Sequence, residues 1–219
     1  MDIRWFGHSF FEITTNTEVK RGVKIYLDPF GEEVGLKLPK LIEADAVTVS
    51  HDHFDHNNFK IFTDPGIILN TPGEYSIKGV DIKGFLSYHD GNKGAERGIN
   101  VIFIIESEGI RVVHLGDLGH DLSEEEVKRI DGVDILLVPV GGPFSLRGKE
   151  SVKAIKQLEP KIAIPMHYKL PNTKLDLAPL DEFCKEIGMC PAEPTAKVSV
   201  KPGMLEGKEM EVVIMEARS

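Results

Sequence analysis

The segment Ala46-Val47-Thr48-Val49-Ser50-His51-Asp52-His53-Phe54-Asp55-His56 decides how the rest of the chain is read. Its first five residues form a short apolar run rich in β-branched side chains, the composition of a buried strand. Three of the chain's eight histidines then fall within the next six residues. In extended backbone, residues two apart point the same way, so His51 and His53 can grip one ion. If the chain then coils, Asp55 and His56 turn towards a second position. Imidazole suits zinc and iron, and a carboxylate completes a mixed nitrogen–oxygen set. The plainer reading is a solvated loop with scattered histidines, and the regular spacing together with Asp55 argues against it. A metal takes three or four protein ligands, so this motif needs partners from elsewhere.

Further along the chain, each partner candidate directly follows an expected strand, as His51 does. His89 comes after a strand expected over 80–85, Asp117 after one over 110–114, and His167 after one over 161–165. Strand ends are where layered folds place their sites, so these groups are expected to meet on one edge. Taken singly, each is an ordinary hydrogen-bonded loop residue; together they point to a metal site.

The remaining pattern fits this placement. Strands are also expected over 3–6, 10–14, 23–27, 67–70, 101–106, 134–138, 198–200 and 211–215, with Ser107-Glu108-Gly109 as a hairpin turn. Ser123-Glu124-Glu125-Glu126 is a capping box opening a helix to about Ile130. Further helices are expected over 150–158, stopped by Pro160, and over 180–187. A β-rich first half followed by alternating strands and helices predicts sheets packed together with helices outside. Residues 1–219 are expected to form a single domain, because the candidate ligands spread over most of the length must converge.

The composition narrows the function. The net charge is −9 and no dense basic run appears, which makes nucleic acid an unfavoured partner. No stretch is long and apolar enough for a membrane span, and the N-terminus lacks signal-peptide character. Cys184 and Cys190 offer no disulfide framework and a poor zinc signature; they read as packing or surface residues in a reducing cytoplasm. Nothing sets the oligomeric state, so a homo-oligomer stays open.

The set His-x-His-x-Asp-His, followed by a His, a Gly-Asp and a late His, resembles the metallo-β-lactamase superfamily, and Asp28-Pro29 is similar to its first motif. The resemblance runs from about residue 3 to 170. Trp5-Phe6-Gly7-His8-Ser9-Phe10 and His114-Leu115-Gly116-Asp117-Leu118-Gly119-His120 look closer to its small bacterial branch of predicted zinc-dependent hydrolases, itself similar to the ascorbate-6-phosphate lactonases. The resemblance implies an α+β fold, a four-layer αββα sandwich with the site on one edge. It implies His51, His53 and His89 on one metal, Asp55, His56 and His167 on the other, and Asp117 bridging the two.

Two divalent ions, two aspartates and a bridging hydroxide leave such a centre positive, which favours anionic substrates. The expected chemistry is attack of that hydroxide on a lactone, ester or phosphorylated metabolite, with Asp55 as the catalytic group that orients the nucleophile. Zinc is the expected metal, and manganese or iron accept the same ligands. A nuclease or phosphodiesterase of the same fold and an iron-dependent oxidoreductase are the alternatives; the flavin-using di-iron relatives usually carry Glu where this chain has His53. His8, Asp28 and His120 are candidates for supporting or substrate contacts. Asp28 could fix a ligand imidazole through its other nitrogen or merely cap its turn. His8 could equally be a turn residue, and His120 an exposed one. Gly141-Gly142 could let a backbone approach the site.

Overall fold

The computed structural model describes residues 1–40 and 42–218. Among these residues fifteen strands follow in chain order. The first seven are β1 (Asp2–Gly7), β2 (Phe10–Thr15), β3 (Val23–Leu27), β4 (Ile42–Glu43), β5 (Ala46–Thr48), β6 (Phe62–Asp64) and β7 (Ile67–Leu69). Then come β8 (Gly73–Ile77), β9 (Val80–Tyr88), β10 (Ile99–Ser107), β11 (Ile110–His114), β12 (Ile135–Pro139), β13 (Ile162–Met166), β14 (Val198–Ser199) and β15 (Glu211–Val212). Three α-helices among the described residues, α1 (Glu124–Ile130), α2 (Lys149–Leu158) and α3 (Leu180–Ile187), lie in the second half.

Two mixed sheets face each other, in the orders β14-β1-β2-β3-β5-β7 and β15-β13-β12-β11-β10-β9-β8. Alternation along β3 shows why they pack. Val23, Ile25 and Leu27 join the core between the sheets, while Tyr26 joins Phe6, Phe10, Phe30 and Phe62 on the outer side. Every residue of β12 and β13 is buried, as expected of strands covered on both faces. Burial of each such Ile or Leu contributes about 1.5–3 kcal/mol. On α2 the expected stripe of Val152, Ile155 and Leu158 is buried, and this helix packs on β12. The capping box closes as written: Ser123 N donates to Glu126 Oε2 at 2.8 Å, and Glu126 N donates to Ser123 Oγ at 3.3 Å.

The α+β sandwich is therefore present, with its α-helical layer on the second sheet. Among the described residues, the first sheet is covered by 3-10 turns at Glu32–Val34 and Phe59–Ile61 and by the small β4–β6 sheet. These short pieces carry too little periodicity to stand out in the sequence. No helix among the described residues is long and apolar enough to cross a membrane.

One expectation is overturned. Cys184 and Cys190 do not stay as separate packing or surface thiols but form a disulfide, their Cα atoms 5.4 Å apart. Gly188, in the left-handed region at φ 74°, ends α3 and reverses the chain between them. The case for a reducing cytoplasm rests on unpaired thiols, and this pairing withdraws that support.

Candidate metal centre

The loops that leave the strands at one edge of the sandwich carry the chemistry. From the first sheet come His8 after β1, Asp28 after β3 and the 51–56 loop after β5. From the second come His89 after β9, Asp117 after β11 and His167 after β13. Two glycines allow the close approach. A Cβ on Gly119 would run into the His89 backbone, and one on Gly141 would run into the carbonyl of His167. Gly141 thus lets a backbone come close to the site, as its sequence position suggests.

All seven expected ligands converge. Asp117 Oδ2 lies 3.0 Å from His167 Nε2, 3.3 Å from His56 Nε2, 3.4 Å from His89 Nε2 and 4.0 Å from His51 Nε2. Donor atoms of His51, His53 and His89 lie within 4.8 Å of one another, and so do those of Asp55, His56, His167 and His8. Tetrahedral zinc with ligands at about 2.0–2.1 Å separates its donors by about 3.3 Å, so these spacings suit such an ion. His51 Nε2, His56 Nε2, His167 Nε2 and Asp117 Oδ1 are buried without hydrogen-bond partners. Buried polar atoms normally find partners, and a cation would supply the missing one here.

The opposite edges of three of the imidazoles are held, while His167 Nδ1 is buried without a partner. His56 Nδ1 sits 2.8 Å from Asp28 Oδ2, His51 Nδ1 2.9 Å from Ser50 Oγ, and His89 Nδ1 3.2 Å from the Phe144 carbonyl. Asp28 is itself fixed by the Ser50 backbone N–H at 2.7 Å and by the Ser50 hydroxyl. Each of these rings thereby keeps Nε2 for the centre, the arrangement that fixes a ligand's tautomer. The Asp117 backbone N–H donates to Asn100 Oδ1 at 3.0 Å.

The electrostatics suit a cation. Burial holds His51 well below the usual imidazole range, and it lowers His53 and His89 too, so these rings are neutral. Burial works to raise Asp117 and Asp28, but nearby imidazoles (His167 and His56 for Asp117, His114 and His56 for Asp28) keep both carboxyls ionised. Neutral imidazoles and ionised carboxylates are the metal-binding forms. His56 is the exception. Burial works to lower it, yet Asp117 and Asp55 lift it well above the ordinary value.

The supporting candidates fall into different places. His8 adopts φ 53° and its Nε2 lies 3.1 Å from Asp55 Oδ2. Burial and the neighbouring His167 push its pKa down to about 4. His114 is fully buried, with Nε2 3.0 Å from the Ser9 carbonyl, in a hydrogen-bonded core role. His120 turns away: its Nδ1 meets the Asp121 carbonyl at 2.9 Å, its Nε2 faces Glu126 of α1, and it does not line the cavity over the site.

That cavity, of about 320 Å³, is lined by His53, Asp55, His89, Asp117 and His167 together with Phe54, Arg97, Phe144 and the 175–177 segment. Sequence reasoning did not find Arg97 or Phe144. The signal available was the turn-rich Asp90-Gly91-Asn92-Lys93-Gly94 stretch directly after His89.

Comparison with known proteins agrees with the fold. A family described as "Beta-lactamase superfamily domain" matches residues 2–167. A metal-dependent hydrolase of Staphylothermus marinus is 32% identical, the match covering 92% of this chain and 96% of that protein. One from Thermococcus onnurineus is 28% identical over the same shares. The crystal structure of a Thermotoga maritima protein, classed with the Zn-dependent hydrolases of the metallo-β-lactamase superfamily, superposes with a TM-score of 0.77 at 36% identity. That match covers 98% of this chain and 97% of the other.

Proposed function

The chain belongs to the metallo-β-lactamase superfamily and is a metal-dependent hydrolase, and we propose that it cleaves small anionic esters, lactones or phosphorylated metabolites using two divalent ions. Zinc is the first choice, with manganese or iron as alternatives. His51, His53 and His89 would hold one ion, Asp55, His56 and His167 the other, with Asp117 between them. Bound there, the ions would lower the pKa of water towards about 7 and polarise the substrate oxygen.

The protein's own groups do the rest. Asp28, Ser50 and the Phe144 carbonyl aim three imidazoles. Asp55, held at Oδ2 by His8 and lining the cavity, orients the attacking water and takes its proton. Phe54 and Phe144 line the same cavity. The cavity's volume suits a single metabolite better than a polymer.

The observation that carries this reading is the placement of one Asp117 carboxylate oxygen within 4.0 Å of four imidazole nitrogens from both sheets. Elemental analysis of the purified protein, alongside a screen of lactones, esters and phosphodiesters, tests it. The expected result is about two metals per chain and a hydrolytic rate that disappears on chelation, with Asp55→Ala keeping much of the metal and losing turnover. Metal-free protein without any rate after reconstitution overturns it.

A further inference from the structure

Among the cavity's lining residues outside the expected ligands, Arg97 carries a positive charge. Arg4, Arg111, Arg129 and Arg147 each pair with a glutamate. Arg97 has no carboxylate within 4.0 Å among the described residues, although Asp176 lines the same cavity. Its guanidinium carbon lies 3.7 Å from the centroid of the Phe144 ring, and its Nε is buried without a hydrogen-bond partner.

The loop that presents it is built rigidly. Asp90 Oδ1 accepts the backbone N–H groups of Asn92 at 2.8 Å and Gly94 at 2.9 Å, and Oδ2 those of Glu96 at 3.0 Å and Arg97 at 2.8 Å. The Gly98 carbonyl accepts from His89 N at 3.1 Å, closing the loop onto an expected ligand. A preorganised guanidinium over an aromatic ring, with donors unused, is the arrangement that receives a carboxylate or phosphate in bidentate fashion.

We infer that Arg97 forms an anion subsite beside the metal centre, so that the substrate is a small amphipathic acid with an apolar body on Phe54, Phe144, Leu175 and Leu177 and a free carboxylate or phosphate on the guanidinium. This rests on the hydrolase reading above and names its substrate class. The hydrolysable group faces the 51–56 loop, His89, Asp117 and His167, while the second, unreacting anion is held by Arg97.

Calorimetric titration of the metal-loaded protein with glutarate and with butyrate tests it. Both probes offer one carboxylate to the centre, and only glutarate has a second. The wild type is expected to bind glutarate at least about tenfold more tightly than butyrate, and Arg97→Gln to bring the two within about twofold at unchanged metal content. Arg97→Met keeps an unbranched apolar stem against Phe144 and must lose the margin as well, which covers the case of an unfolded glutamine variant. Absence of the margin in the wild type, its survival in either variant, or equal weakening of both probes overturns the inference, the last because Arg97 would then only shore up Phe144. An active, metal-loaded enzyme without the margin sinks this inference alone. A margin dependent on Arg97 in a protein with no metal and no turnover sinks the hydrolase reading instead.

Discussion

Two buried carboxylates, Asp45 and Asp117, one at each end of the sandwich, are treated in opposite ways. At the end remote from the site, Asp45 is met by the ammonium groups of Lys20 and Lys78 and accepts the Lys24 backbone N–H at 2.9 Å. Nearby, Asp134 takes the Arg111 N–H at 2.8 Å and Glu108 takes the Thr15 hydroxyl at 2.7 Å. At the site end, Asp117 leaves Oδ1 without a partner and faces four ring nitrogens, three of which also lack one. Carboxylates closed by cations and backbone donors hold turns together; carboxylates left open among imidazoles wait for a ligand.

The largest effect that could break this contrast is at Asp117. Asp117→Ala is expected to lower kcat/KM by roughly a thousandfold or more, about 4 kcal/mol of transition-state stabilisation, with loss of metal by elemental analysis. A variant retaining wild-type rate and metal would put Asp117 on the same footing as Asp45. Next comes Asp28→Asn, which leaves the shape but weakens the hold on His56 Nδ1. Metal affinity should drop about 10–100-fold, read by competition with a chromogenic chelator.

The remote end should answer in stability and not in rate. Burial works to raise Asp45, but the hydrogen bonds from Lys20, Lys78 and Lys24 hold it at about 2 against an ordinary 3.8. Its contribution is therefore full above about pH 4 and is lost as pH falls through about 2. Because Lys20 and Lys78 are nearly half exposed, solvent screening reduces that contribution to about 1 kcal/mol. Denaturant melts of Asp45→Asn should show that loss at pH 7 and only a small remnant of it at pH 2, with activity unchanged. The smallest effect is expected of Lys78→Ala, a loss below that of Asp45→Asn in the same melts, since Lys20 still faces the carboxylate. A larger cost there than in Asp45→Asn would show that Lys78 supports the turn by some other contact.

The site was more legible in the sequence than the scaffold around it. Ligand residues follow strands, and buried strands such as β3, β11 and β12 announce themselves through runs of branched apolar residues, so the edge where His51, His89, Asp117 and His167 meet could be placed. The edge strand β8 could not: it alternates half-buried with exposed positions and follows Pro72, leaving little hydrophobic signal. The pairing of Cys184 with Cys190 depends on a chain reversal at Gly188, which spacing does not reveal. Arg97 was invisible for a related reason. Its place is set by backbone hydrogen bonds to Asp90, and backbone donors are the same in every sequence.

The centre draws His51, His53, Asp55 and His56 from one sheet and His89, Asp117 and His167 from the other. Ions held there would act as rivets through the open edge of a two-leaved book. Stripping them would do more than silence the chemistry. The leaves would be left joined at that edge by apolar packing and a few hydrogen bonds, such as those from His167 N–H to the His8 carbonyl and from Val101 N–H to the Ser50 carbonyl, with ionised aspartates facing one another across the gap, so melting temperature and catalytic competence should rise and fall together with the metal supply.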